Sequence, residues 1–165
     1  MVLKVVFIAE LYILLFIFYQ DLKYRAVNWI AFLAITLSGF FLSFHAVGLK
    51  NTLFNVLLNN GILLMQLLLV YLFYYVKSGM HTKIINKKLG LGDVLMLAAL
   101  SFSFSPVNYI VFVFLSLVAS LLITMVKRNK QTIPLAGYLG LFYFIFLMIN
   151  HFFLDFNPYL IQPDL

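Results

Sequence analysis

The sequence predicts an all-α, polytopic membrane protein of about six transmembrane helices, with both chain ends on the outer side. Three observations predict it. The chain is 65% hydrophobic and 10% charged, with a mean hydropathy of +1.08, so its polar side chains are too few to cover a water-soluble globule of 165 residues. Its apolar runs approach or exceed the roughly 18 residues that cross a bilayer core of about 30 Å as a helix, and none shows the period-2 alternation of a barrel strand. Its basic residues collect in alternate loops, as topology demands of a membrane protein.

Six runs follow in order. Val2 to Tyr19 is apolar, but Glu10, the lack of a small-residue cleavage site and the downstream positive charges mark a retained first span, not a secretory signal peptide. Val27 to Phe44 and Thr52 to Val76 supply the second and third spans. The fourth, Asp93 to Phe104, is short. Because Ser103-Phe104-Ser105-Pro106 predicts a turn, this span either starts earlier, near Leu89, or crosses only part of the bilayer. Val107 to Val126 and Ile133 to Phe153 complete the set. There is no internal repeat, and the only long polar stretch is Lys77 to Lys88, so residues 1–165 read as one membrane domain.

The loops set the orientation. Lys23 and Arg25 lie in the first, Lys77, Lys83, Lys87 and Lys88 in the third, and Lys127, Arg128 and Lys130 in the fifth, which accounts for nine of the eleven basic residues. Lys4 and Lys50 lie on the other side. The positive-inside bias makes the odd loops cytoplasmic and the chain ends external. The net charge of +6 is therefore explained by topology, with no nucleic-acid partner implied. Absence of cysteine excludes disulfides, thiolate metal sites and cysteine nucleophiles.

Acids are scarce, and two of the five, Asp21 and Asp93, fall at the predicted cytoplasmic boundary. A carboxylate near the bilayer must be solvated, paired or protonated, which makes it a functional candidate by default. Two of them within a few ångströms cannot both ionise; they share a proton, and one serves as base while the other serves as acid. Such a pair can activate water for peptide hydrolysis, with no metal or organic cofactor required. Asp93 ends the stretch Gly90-Leu91-Gly92-Asp93. The two glycines remove side chains beside the acid and permit dihedrals closed to other residues. The alternative is that the four residues form a helix cap, for which Asp is well suited.

This arrangement resembles the GxGD membrane proteases, and specifically the type IV prepilin (leader) peptidase family. The family's second motif, Gly-x-Gly-Asp-x-Lys-Leu followed by alanines, is similar to Gly90-Leu91-Gly92-Asp93-Val94-Leu95-Met96-Leu97-Ala98-Ala99. Its first motif, an Asp with a basic residue two positions on and then Ile-Pro-Asn, is similar to Asp21-Leu22-Lys23 with the following segment to Asn28. A later Ile-Pro-Phe-Gly-Pro resembles Ile133-Pro134-Leu135-Ala136-Gly137. Leu95 stands where the family has lysine, Asn28 takes or displaces the proline, and Ala136-Gly137 replaces Gly-Pro. The large cysteine-containing cytoplasmic loop of bifunctional members is absent.

The resemblance implies a short, peptidase-only enzyme: an aspartic endopeptidase with Asp21 and Asp93 as catalytic dyad and Gly90, Gly92, Lys23, Pro134 and Gly137 as supporting motif residues. It implies no cofactor and no metal. The expected partner is a single-pass precursor whose basic n-region lies in the cytoplasm, besides membrane lipid. The expected location is a bacterial or archaeal cytoplasmic membrane, with the site facing the cytoplasm. A catalytically silent relative that binds or assembles membrane precursors is the alternative. A transporter using Glu10, Asp21 and Asp93 comes third, because two of these acids share one boundary instead of marking a path.

Glu10 precedes Asp21 by eleven residues, three helical turns or roughly 16 Å, so both project from one helix face. It reads either as a polar partner lining the catalytic cavity or as a hydrogen-bonded packing acid. His45, His81 and His151 have no metal-ligand spacing.

Overall fold

A computed structural model describes residues 1–78, 90–127, 134–154 and 156–160. Among these the regular structure is helical, with no strand. Among the described residues four helices are long and apolar enough to cross a membrane, and large hydrophobic side chains such as Phe16, Leu64 and Phe114 cover their outer faces. The protein is an integral membrane protein.

Helix α1, Val2–Tyr24, contains neither glycine nor proline. In hydrocarbon a chain must satisfy its own backbone, and an uninterrupted apolar helix does so. Its buried residues, Glu10, Leu14, Ile17 and Asp21, form one stripe at alternating four- and three-residue spacing. The helix stops at Arg25, whose φ of 54° is left-handed and whose N–H returns to the Asp21 carbonyl at 3.1 Å. Asn28 then starts the next helix. Its Oδ1 accepts the Ile30 N–H at 3.1 Å, and its own N–H donates to Gln20 Oε1 at 3.0 Å. Asn28 thus acts as a helix N-cap.

Helix α2, Trp29–Ser78, is broken at Gly48, where φ is 78° and ψ is 167°. No atom approaches the position a Gly48 Cβ would take, so glycine is required there by backbone conformation alone. The chain reverses at this point. Ser43 and Thr52 share a hydroxyl hydrogen bond of 3.1 Å, whereas a straight helix would hold their Cα atoms about 13.5 Å apart. The predicted spans Val27 to Phe44 and Thr52 to Val76 are therefore the two arms of one helical hairpin.

Helix α3, Leu91–Leu100, has ten residues. At about 15 Å it reaches through half a bilayer. Its end is held by the second arm of α2: Asn59 Nδ2 donates to the carbonyls of Ser101 and Phe104, both at 2.8 Å, and Asn60 Nδ2 donates to Ser101 Oγ at 2.9 Å. Gly39 of the first arm closes on the same turn, since a Cβ there would collide with Ser103 Oγ. Both arms meet one short segment, which fixes α3 in the bundle. Helix α4, Pro106–Lys127, starts with the proline that suits the first helical position.

Helix α5, Leu135–Ile149, runs on into a π-helical turn, Asn150–Leu154. It packs chiefly on α1, where Gly137 and Gly140 allow close approach: a Cβ on Gly140 would sit 3.4 Å from the Leu14 carbonyl. Leu14, Ile17, Met96, Leu100, Tyr109 and Leu139 are fully buried at the centre. Residues after the π-turn are tied to the α3–α4 turn through Ser105 N–H to the Pro158 carbonyl at 2.9 Å, and to α2 through Asn55 Nδ2 to the Tyr159 carbonyl at 3.0 Å.

Candidate active site

The first turn of any helix leaves its amides without intrahelical acceptors. In α5, which is capped by the buried Pro134, those amides are met by the two aspartates. The Gly137 N–H donates to Asp21 Oδ2 at 2.6 Å, and the Ala136 N–H donates to Asp93 Oδ1 at 2.8 Å. Consecutive amide nitrogens in a helix lie about 3 Å apart, so the two bonded carboxylate oxygens are no more than roughly 9 Å from each other. Asp21 lies close enough for its charge to act on Asp93. Residues 72 positions apart in sequence thus converge on one helix end, whose dipole favours negative charge.

Each supporting residue has a definite place. Asp93 Oδ2 accepts the Gly90 N–H at 3.2 Å, so this carboxylate bridges the starts of α3 and α5. A Cβ on Gly90 would lie 2.9 Å from that oxygen, and one on Gly137 would lie 3.0 Å from Asp21 Cβ and 3.1 Å from Asp21 Oδ2. These two glycines are there for the carboxylates. Gly92 differs, because a Cβ there would meet only Phe32, at an ordinary 3.7 Å. Neither Gly90, with φ −67°, nor the helical Gly92 uses the positive-φ region, so the expected need for special dihedrals is not what places them. Gly90, not Asp93, is the cap residue of α3; the aspartate sits in the first turn and reaches back.

Lys23 lies on the exposed face of α1, where its Nζ donates to Tyr19 Oη at 2.8 Å and covers the rings of Tyr19 and Tyr24. Arg25, two residues further, is the basic group electrostatically coupled to Asp21. Leu95 packs against the apolar core. Asp21 is buried at 7% exposure, while Asp93 is half-buried beside the exposed Gly90 and Leu91, so the pair opens outward along the start of α3.

Glu10 shares the buried stripe of α1 but not this site. It is fully enclosed, and Tyr143 of α5 donates its hydroxyl to Glu10 Oε1 at 3.3 Å. Ser38 and Tyr159 border the same carboxyl. It is held inside the bundle three turns from Asp21. His45 bonds the Phe41 carbonyl and His151 packs on Phe7, while His81 lies outside the described residues. Among the described residues no group of three or more His, Asp or Glu side chains could hold a metal ion.

Sequence reasoning singled out Pro134 and Gly137 but missed the Ala136 and Gly137 amides as the groups that gather the acids. The available signal was the Pro-x-x-Gly helix start, with proline ahead of the first turn and a small residue where an acid must approach. Comparison with protein-family models, with curated proteins and with solved structures finds no match to this chain.

Proposed function

We propose that the protein is an intramembrane aspartic endopeptidase of the GxGD type, similar to the short prepilin peptidases. The observation that carries this reading is the convergence of Asp21 and Asp93 on adjacent amides of α5. Each amide fixes one oxygen of its carboxyl group. A proton shared by the pair leaves one carboxyl as base for a water molecule and the other as acid toward the scissile carbonyl, and the roles exchange as the amine departs. Because the α5 amides favour the anionic form, the pair need not lose its last negative charge in the low-dielectric boundary.

In this reading the two arms of α2 act as the second and third spans, and α3 is a half-span that carries Asp93 to the boundary. The basic loops face the cytoplasm, and the substrate is a single-pass precursor with a basic n-region on that side, in a bacterial or archaeal cytoplasmic membrane. Partial unwinding of the substrate would bring its first apolar turn to the exposed start of α3.

A second reading has a specific observation in its favour: both carboxylates already serve as caps for α5, which a non-catalytic precursor-binding protein would also need. N-terminal sequencing of membrane proteins from cells expressing wild type, Asp21→Asn or Asp93→Asn at equal levels separates the two. The peptidase reading expects new N-termini after basic n-regions with wild type only. The same N-termini in all three strains would remove it.

A further inference from the structure

On the side of the bundle away from the aspartates, a groove of about 510 Å³ opens between α1, α2 and the end of α5. Its walls are Leu3, Phe7 and Leu11 of α1, Leu42 of α2 and Met148 of α5. Among the described residues that line it, two are basic, Lys4 and His151, and none is an acid. From Leu3 to Leu11 the groove follows α1 for about 12 Å, close to the depth of one leaflet, which is half of a core of about 30 Å. Lys4 stands near the outer end of that length, and the deeper wall at Leu11 and Leu42 is wholly apolar. The π-turn sets His151 beside Phe7, with ring centroids 5.1 Å apart, at the same end.

Lys4 calls for its own explanation. It lies at the opposite end of α1 from Lys23 and Arg25, so the bias that gathers nine of the eleven basic residues into alternate loops does not account for it. An apolar channel one leaflet deep, with cationic and hydrogen-bonding groups at its mouth, matches one occupant in a bilayer. We propose that this groove binds an anionic phospholipid, with an acyl chain along Phe7 and Leu11 and the phosphate between Lys4 and His151. Basic pockets between transmembrane helices bind headgroups in this way. The inference stands independently of the peptidase reading.

The test uses the full chain, delipidated in neutral detergent and titrated with dioleoyl phosphatidylglycerol or dioleoyl phosphatidylcholine, with lipid bound per chain counted by native mass spectrometry. Wild type is expected to retain one phosphatidylglycerol in preference to phosphatidylcholine. Lys4→Gln, at an exposed site, should weaken phosphatidylglycerol binding about fivefold while leaving phosphatidylcholine nearly unchanged. Ile8→Trp, at a half-exposed lining position, should fill the groove and remove the bound lipid whatever its headgroup. Equal binding of the two lipids by wild type, or full retention of phosphatidylglycerol by Ile8→Trp, would overturn the proposal.

Discussion

Asp21 and Glu10 lie on the same buried stripe of α1 and face the same helix, α5, yet α5 receives them differently. Asp21 meets the first turn, where backbone amides are free, and accepts the Gly137 N–H at 2.6 Å. Glu10 meets the middle of α5, where every amide is spent on the carbonyl four residues back, and side chains such as Tyr143 and Ser38 meet it instead. Depth along one helix pair therefore decides what an acid can do. At the helix start a carboxylate is held by backbone, favoured as an anion and joined by a second acid from α3. Mid-bundle it is sealed among side chains and serves packing.

The comparison breaks first at the pair itself. Asparagine at Asp21 or Asp93 keeps an acceptor oxygen for the α5 amide, so the fold should persist while peptidase turnover falls at least about 10³-fold; turnover on a precursor peptide together with a melting curve checks both halves. Next is Gly137→Ala. Its Cβ would press on Asp21 from 3.0 Å, and a displaced carboxylate of this kind costs on the order of 10² in rate, with about 1–3 kcal/mol of stability lost to overpacking.

The two glycines of the GxGD stretch sharpen the account further. Gly90→Ala would push against Asp93 Oδ2 from 2.9 Å, whereas Gly92→Ala would find only ordinary contact with Phe32. Steady-state rates should show a clear loss for the first and a change within about twofold for the second, since a Cβ in ordinary contact need displace nothing. Glu10 supplies the contrasting control. Tyr143→Phe should cost about 1–3 kcal/mol by leaving a buried acceptor without its donor, and Glu10→Gln, which keeps that acceptor, should alter neither rate nor melting temperature by much. A collapse of turnover in Glu10→Gln would join the two regions into one site.

The smallest effect concerns only the fold. Gly48→Ala forces a side chain into a positive-φ, extended-ψ backbone open essentially to glycine alone and should cost about 1–3 kcal/mol, with specific activity of the folded fraction unchanged.

Much of this architecture was legible in the sequence because it rests on local chemistry. Apolar run length gave the helices, and Ser103-Phe104-Ser105-Pro106 gave the turn. The eleven-residue spacing put Glu10 and Asp21 on one face. The break between the second and third spans was legible, but Gly48 was not singled out as its hinge, since the residue letter carries no sign of the positive φ it adopts. The site was legible as a pair of residues but not as a mechanism of assembly. Residue types identify carboxylates, whereas backbone amides have no letter in the sequence, and the α5 first turn that gathers them is set by long-range packing. Gly92 shows the opposite error: the motif made it look equivalent to Gly90, and only the contacts of each glycine tell them apart.

The central claim is that the amide-held pair performs hydrolysis. The most direct test is to reconstitute the purified protein in vesicles with a single-pass peptide carrying a basic n-region, and to follow cleavage by mass spectrometry across pH for wild type, Asp21→Asn and Asp93→Asn. The account predicts one cut beside the basic segment, a bell-shaped pH profile from a pair that works with one shared proton, and no cleavage by either variant. Cleavage that survives both substitutions, or a wild type that leaves the peptide intact while binding it as tightly as the variants do, would contradict it.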